Sequence, residues 1–164
     1  VAGGEERTAG SSYRNPTEAD IVADEVARLR EHGLPQSDIG VITPYSGQIN
    51  CIENALADRD VSTRGVKVNT VDSFQGSERE AVVLSLVRSN DRGSSGFLTF
   101  GDEGERRLNV SLTRAKRRLV VVGDFETLGT VADHRDLGES CADVYADLRA
   151  QLPIRPGPPT TDGR

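Results

Sequence analysis

The chain has 164 residues, 35% of them apolar, with a formal net charge of −6 at pH 7; this composition is that of a globular protein, and the length is enough for one domain with a sizeable core. The longest apolar run, residues 81–87, is too short to cross a bilayer, and residues 1–12 have no apolar segment of the signal-peptide kind, so no membrane partner is predicted. The two cysteines and the two histidines are isolated from one another, which argues against a metal site and favours free thiols in a reducing cytoplasm, or in a nucleus if the source is eukaryotic.

The first part of the chain alternates helices with short apolar strands. Residues 1–12 are rich in Gly, Ser and Glu and are expected to form a flexible N-terminal segment. A helix is predicted to follow Asn15, with Asn15 as its cap, Glu18 completing a capping-box-like pattern and Gly33 at its end. A strand and a second helix are predicted next, at 38–43 and 46–59.

The second part of the chain continues the alternation. Two apolar strands are predicted at 65–71 and 81–87, with the polar loop 72–80 between them. Residues 88–104 are Gly- and Ser-rich, which predicts a surface loop, and a helix is predicted from about Arg106 to Ala115. The remaining predictions are a strand, a helix and a proline-rich tail or linker, at 117–124, 141–152 and 153–164.

Helices that alternate with apolar strands predict an α/β domain, here over residues 13–152, with a parallel sheet covered by helices. Ligands of such sheets bind beyond the carboxyl ends of the strands. Three polar segments are predicted to lie at that edge, after the first, second and fourth strands: 43–48, 69–78 and 123–124. The helix that carries Arg114 precedes the fourth strand, so its contribution to this edge is inferred less directly.

An acidic chain concentrates positive charge between Arg106 and Leu119, where six residues are basic. Cations placed together repel one another, which costs stability unless an anion lies close to them. From the charge run alone, a solvated helix face is the ordinary interpretation and an anion-binding segment is the alternative. The sequence has no G-x-x-x-x-G-K-[ST] phosphate loop, no G-x-G-x-x-G fingerprint and no G-x-S-x-G elbow, so it carries no self-sufficient nucleotide pocket of these kinds.

Three segments resemble motifs IV, V and VI of superfamily 1 helicases, in the order and spacing of that family. They are IGVITPYSGQ (39–48), VNTVDSFQGSEREAVVLSLVRSN (68–90) and RRLNVSLTRAKRRLVVVGD (106–124). The chain is most similar to the 5′→3′ branch that contains the nonsense-mediated-decay RNA helicase, senataxin and the immunoglobulin mu-binding helicase, over roughly residues 11–128. The resemblance implies the second RecA-like domain of such an enzyme, a three-layer sandwich with a mostly parallel sheet and helices on both faces.

The resemblance also implies an ATP site. In this family ATP with Mg²⁺ lies between two RecA-like domains, and the first domain supplies the phosphate loop and the magnesium-binding acids. Arg114 matches the arginine finger, a role that suits a permanently charged, planar guanidinium. Gly76 and Glu78 match the motif V positions that approach the nucleotide, and Gln75 is expected to line the same cleft. From the residues alone, an ordinary turn with a solvated Glu78 stays open.

A single-strand track is implied by the same resemblance, because loop hydroxyls and exposed amides can hold phosphates without reading bases. The candidates follow two successive strands: Thr43, Pro44, Tyr45, Thr70, Val71 and Ser73. Two roles stay open for Tyr45, stacking on a base or packing into the core beside Pro44. Arg106 or Arg107 either contacts phosphate or pairs with the acids at 102–105. DNA and RNA are not distinguished.

The resemblance therefore predicts the C-terminal RecA-like half of an ATP-dependent 5′→3′ helicase or translocase, with single-stranded DNA or RNA and the first RecA-like domain of the same polypeptide as partners. This part of the protein is expected to be monomeric and, without a phosphate loop, not to hydrolyse ATP by itself. The acidic net charge predicts weak autonomous binding to nucleic acid. The alternative is a non-catalytic RecA-like module with a regulatory or interaction role, which would not need both QGSE (75–78) and LTRA (112–115).

Overall fold

The computed structural model describes residues 6–90, 96, 101–129, 142–153 and 155. The strands within these ranges are β1 (Arg7–Ala9), β2 (Ser12–Arg14), β3 (Ile39–Thr43), β4 (Lys67–Thr70), β5 (Arg79–Ser85) and β6 (Ala115–Val122). The helices are α1 (Pro16–Glu31), α2 (Ser46–Ala57), α3 (Val71–Phe74), α4 (Gly101–Leu112), α5 (Phe125–Gly129) and α6 (Ala142–Gln151), with a short 3-10 helix at Gln36–Asp38. Among the described helices, none has the length and apolar character that a membrane span requires.

The main sheet has the strand order β4-β3-β5-β6, and every neighbouring pair in it is parallel. Val41 of β3 lies beside Val68 on one side and Val83 on the other, so three apolar strands cross the middle of the sheet in register. The parallel α/β sheet predicted from the sequence is thereby confirmed. β1 and β2 form a separate antiparallel hairpin.

Both faces of the sheet are covered by helices, because side chains of successive strand residues point to opposite faces. Ile39 and Val41 pack with the apolar faces of α1 and α2 in one core. Ile42, the residue after Val41, points to the opposite face and packs in the other core with side chains of α3 to α6, represented by Phe74, Leu108, Leu128 and Tyr145. The three-layer architecture expected from the resemblance is confirmed.

The connection from β4 to β5 crosses over β3, and a glycine makes room for it. Phe74, the last residue of α3, is completely buried, and its ring lies on the main chain of Gly40 in β3. A Cβ atom at position 40 would lie 2.6 Å from Cζ of Phe74, closer than carbon atoms approach without a shift. The crossover therefore depends on the absence of a side chain at Gly40.

Several segments differ from the sequence-based expectation. Part of the segment 1–12, expected to be flexible, belongs to the β1–β2 hairpin, which turns at Gly10 and Ser11 with a φ of +63° at Gly10; a glycine in this position suits a two-residue hairpin turn. Helix α4 begins at Gly101, inside the predicted loop, and β6 begins at Ala115. The predicted tail 153–164 lies almost entirely outside the described residues.

Candidate functional site

The predicted site residues fall at two opposite edges of the sheet. Residues 43–45 and 70–73 follow the ends of β3 and β4, at what we call the carboxyl edge. Residues 75–78 and Arg114 instead precede β5 and β6, at the amino edge. The expectation that the whole segment 69–78 lies at the carboxyl edge is therefore wrong. The chain leaves one edge after Thr70 and must reach the other edge before it can enter a parallel strand.

At the amino edge the QGSE turn lies against Arg114. The amide of Arg79 donates a hydrogen bond to the carbonyl oxygen of Arg114, with an N–O distance of 3.1 Å. Gly76 has a φ of +77°, in the left-handed region that favours glycine. Gln75, Gly76 and Glu78 are all exposed. The motif V turn and the proposed arginine finger are thus neighbours, and the turn is open to a ligand.

Lys67 stabilises this turn through its side chain, a role that no sequence pattern indicated. Its Nζ donates to Oγ of Ser77 at 2.8 Å and lies 4.6 Å from the ring centroid of Phe74. A cation over an aromatic face is stabilised by the ring quadrupole. Lys67 starts β4, so the turn is fixed to the first residues of two strands, β4 through Lys67 and β5 through Arg79.

The Arg114 side chain rests on the end of α4. Its Nε donates to the carbonyl oxygen of Val110 at 3.1 Å, and its Nη2 donates to Oγ1 of Thr113 at 3.0 Å. The last carbonyls of a helix carry partial negative charge, which favours a cation there. A guanidinium has five N–H donors, and these two bonds use two of them. The half-buried Arg114 therefore retains donors for an anion.

The basic residues around Arg114 form ion pairs with acids of α3, α4 and β5. Arg107 pairs with Asp72 of α3 at 3.4 Å and with Glu103 at 3.0 Å, which supports the ion-pair alternative considered for it. Arg117, whose side chain is 84% exposed, pairs with Glu80 at 3.0 Å. Surface pairs of this kind contribute little to stability, but they offset the mutual repulsion of the cations.

At the carboxyl edge, Tyr45 packs against the hairpin. Its ring meets that of Tyr13 edge to face, with centroids 5.3 Å apart, and its hydroxyl accepts a hydrogen bond from Nη1 of Arg88 at 3.4 Å. Tyr45 stays partly exposed, whereas Thr43 and Pro44 before it are buried. The two roles considered for Tyr45 were stacking on a base and packing into the core beside Pro44. Neither of them included the contact with Tyr13.

The second loop of this edge presents hydroxyl groups. Oγ1 of the partly exposed Thr70 donates to Oγ of Ser73 at 3.2 Å, and Ser73 is exposed. Val71 between them is buried, because it is the first residue of α3 and packs with Phe74 in the second core. Thr70 and Ser73 are therefore the accessible members of this loop.

A buried carboxyl lies behind the carboxyl edge. Oε1 of Glu18 accepts hydrogen bonds from Oγ of Ser85 at 2.6 Å and from the amide of Val87 at 2.8 Å. Burial raises the pKa of Glu18 to about 7, although these hydrogen bonds oppose the rise. Asn15 caps α1 as predicted, but its own amide donates to Gln48, so Glu18 does not complete the capping box. The Glu18 side chain instead turns inward, toward the end of β5.

Val87 holds an unusual backbone conformation at the end of β5. Its φ is +73°, rare for a β-branched residue, and the amide of Arg88 donates to the carbonyl oxygen of Leu86 at 2.8 Å across it. This pattern is that of a strained γ-turn. Strain of this kind persists where surrounding bonds hold it, and here the bond to Glu18 does so.

Residues 88–90, expected to begin a surface loop, bind the carboxylate of Glu6. Nε and Nη2 of Arg88 donate to it at 2.6 and 3.0 Å, and the Ser89 amide and Asn90 Nδ2 each donate at 3.1 Å. Arg88 is buried, and its guanidinium lies 4.4 Å from the centroid of Tyr13. Burial lowers the pKa of Arg88, but its bonds to Glu6 and Tyr45 raise it more.

Asp124 ties the end of β6 to the same region. Its Oδ2 accepts from Oγ of Ser89 at 2.8 Å, and its Oδ1 accepts from the amides of Glu126 and Thr127, which caps α5. Burial raises the pKa of Asp124, but these hydrogen bonds lower it by more. The predicted placement of 123–124 at the carboxyl edge agrees with this geometry.

Comparison with known proteins supports the assignment made from the motifs. A family model described as an AAA domain matches residues 1–126. Similar curated proteins include DNA polymerase alpha-associated DNA helicase A of Saccharomyces cerevisiae (43% identical over 119 residues), a Regulator of nonsense transcripts 1 homolog of Neurospora crassa (47% over 131) and DNA replication ATP-dependent helicase/nuclease DNA2 of Mus musculus (37% over 145). The alignments cover 73%, 77% and 85% of this chain, but only 16%, 12% and 13% of the relatives. The chain therefore belongs to the superfamily 1 helicases of the 5′→3′ branch.

Proposed function

We propose that this chain is the second RecA-like domain of an ATP-dependent 5′→3′ helicase or translocase, with the amino edge facing ATP and the carboxyl edge facing a single strand. The observation that carries the proposal is the Arg79–Arg114 hydrogen bond, which places the exposed QGSE turn beside the candidate arginine finger. Both features belong to motifs that are far apart in the sequence. Their meeting at one accessible edge is what a shared ligand requires.

The amino edge fits a nucleotide chemically. Arg114 offers a guanidinium to phosphate oxygens, and the left-handed turn at Gly76 lets a ligand approach the main chain closely. The exposed carboxylate of Glu78 is suited to accept a hydrogen bond from a ribose hydroxyl. ATP with Mg²⁺, held mainly by the first RecA-like domain, would supply the bond that is hydrolysed. Arg114 would stabilise negative charge on the transferred phosphoryl group.

The carboxyl edge fits a nucleic-acid backbone. Hydroxyls of Thr70 and Ser73 and the partly exposed ring of Tyr45 follow adjacent parallel strands, β4 and β3. Hydroxyl and aromatic contacts of this kind are tolerant of sequence, as translocation requires. The two ligands would thus occupy opposite edges of the same sheet, and the segment 71–78 connects them.

Steady-state ATPase assays on this chain and on the complete enzyme, each with and without a single strand, test the proposal. We expect negligible turnover from the chain alone and single-strand-stimulated turnover from the complete enzyme. Turnover by a pure preparation of this chain would show that the division of the ATP site is wrong. A complete enzyme without ATPase activity would favour the non-catalytic module.

A further inference from the structure

The β1–β2 hairpin is a packed part of the carboxyl edge. One end is fixed where Glu6 binds residues 88–90, and the other end continues into Asn15, whose amide donates to Gln48 at 2.8 Å. Between these ends, Oγ of Ser12 accepts from the amide of Gly47 at 3.1 Å. The hairpin is therefore held next to the loop 43–45 at three points.

Two arginines face each other across this hairpin. Arg7 and Arg14 are directly opposite partners in the β1–β2 ladder, so their side chains lie on the same face, and both are exposed. Within the described residues, neither has a carboxylate at ion-pair distance, whereas Arg59, Arg88, Arg107, Arg117 and Arg149 do. Like charges directly opposite one another destabilise a hairpin. An anion bound between them would remove this repulsion.

We propose that Arg7 and Arg14 bind the phosphate backbone of single-stranded nucleic acid and extend the track beyond Tyr45. The inference rests on the proposed function, because it takes the carboxyl edge as the nucleic-acid side. Tyr13 connects the hairpin to the track: it precedes Arg14 in β2, its side chain lies on the opposite face of the hairpin, and its ring contacts that of Tyr45. Guanidinium groups meet phosphate oxygens bidentately and without regard to base, as this edge requires.

Counterion release favours a phosphate chain over an acidic protein segment. The net charge of −6 repels both kinds of polyanion, but the single strand is the more densely charged and has condensed counterions to release. A single strand carries regularly spaced phosphates, and releases condensed counterions when arginines neutralise them. Arg7 and Arg14 supply positive charge for such a chain, and the partly exposed ring of Tyr45 in the neighbouring loop supplies a stacking surface.

Fluorescence anisotropy with a labelled oligothymidylate strand across a salt series tests the inference. The variant is Arg7→Gln/Arg14→Gln, and the matched control is Arg117→Gln/Arg118→Gln, which makes the same change of net charge at two exposed arginines near the amino edge. For the hairpin variant we expect roughly tenfold weaker binding at low salt, and a salt slope shallower by about 1.4, since each phosphate contact contributes about 0.7 for single strands. The control should bind like the wild type.

Each other outcome has a defined meaning. The hairpin variant and the control could both bind as tightly as the wild type, with equal salt slopes. That result would overturn the role of Arg7 and Arg14 but would not contradict the proposed function. A wild type that does not bind the strand even at low salt would contradict the nucleic-acid role of the whole edge. Melting curves give a second measure: a binding role predicts an unchanged or higher melting temperature for Arg7→Gln/Arg14→Gln, because a repulsion is removed. A clearly lower melting temperature would indicate a structural role instead.

Discussion

The amide of Arg79 and the carbonyl oxygen of Arg114 are joined by a main-chain hydrogen bond of 3.1 Å, at the point where β5 and β6 begin side by side. Main-chain bonds of a parallel ladder fix position more firmly than contacts between long side chains. The distance between the QGSE turn and the arginine is thus set by the sheet itself. A ligand that contacts both meets two groups that are already in place.

Arg114→Ala is expected to abolish most ATP turnover in the complete enzyme. Arginine fingers contribute roughly 10³–10⁵ in rate where they act in GTPases. Arg114→Lys should restore little, because a flexible point charge does not reproduce the planar fork. The loss of the bonds to Val110 and Thr113 should cost only about 1 kcal/mol of stability. Steady-state ATPase assays with saturating single strands, beside melting curves, measure both effects.

Arg117→Ala is the control for that experiment, since Arg117 is exposed and pairs only at the surface with Glu80. It should leave turnover close to that of the wild type. Near-normal turnover in a folded Arg114→Ala enzyme would rule out the arginine-finger role.

Gly40→Ala should destabilise the fold, because the added methyl group would meet the buried ring of Phe74 at 2.6 Å. Overpacking of this kind typically costs about 1–3 kcal/mol. Phe74→Leu introduced together with Gly40→Ala should recover part of the loss, as coupled neighbours do. Urea denaturation of the wild type, the two single variants and the double variant measures this recovery. Gly129→Ala is the control, because its methyl group would only reach ordinary contact at 3.7 Å; an equal loss there would disprove the steric explanation.

Glu18 should make the protein less stable as the pH rises. In the unfolded chain Glu18 ionises near pH 4.5, whereas burial keeps it protonated to about pH 7 in the folded state. The folded state therefore binds more protons between these values, and the free energy of unfolding falls by about 3 kcal/mol across this window. Glu18→Gln retains an acceptor for Ser85 and Val87 but cannot ionise. Denaturation at a series of pH values should show this fall in the wild type and not in Glu18→Gln; parallel profiles would contradict the prediction.

Glu6→Ala should cost far more stability than the loss of a surface acid. It removes four hydrogen bonds from residues 88–90 and breaks the ion pair of the buried Arg88; breaking a buried pair typically costs about 3–5 kcal/mol. Asp24→Ala is the matched control, since Asp24 pairs with Arg59 at 2.6 Å but is 60% exposed, and such pairs contribute less than about 1 kcal/mol. Chemical denaturation of both variants measures their free energies of unfolding. Similar losses would show that burial does not increase the contribution of the Glu6–Arg88 pair to stability.

Local patterns in the sequence were sufficient for α1, α2, α6 and the four strands of the main sheet, whereas the short helices α3 and α5 were not predicted. Asn15 marks the start of α1 because a cap is a short-range feature, and residues 81–85 form a buried strand because an apolar run needs two covered faces. The division of the site between two edges was not predictable in this way. It follows from the order β4-β3-β5-β6, in which a crossover passes over an intervening strand, and no local pattern specifies that strand.

The missed contacts have similar causes. β1 and β2 have three residues each, which is too few to show the alternation of polar and apolar residues that marks a strand. Gly10 and Ser11 are equally typical of an irregular loop. Glu6 and Arg88 are far apart in the chain, and nothing near either residue indicates the other. Lys67 belongs to no recognisable motif, although it is one of only two lysines. Such pairs become evident only once the strands are placed side by side.

The contact between Gly40 and Phe74 also has an evolutionary consequence. A larger residue at position 40 leaves no room for an aromatic ring in the crossover, and a smaller residue at position 74 removes the need for glycine in β3. The two positions are therefore not free to diverge independently. Among relatives with this strand order, glycine at the first position should accompany an aromatic residue at the second, and losses of the two should occur together.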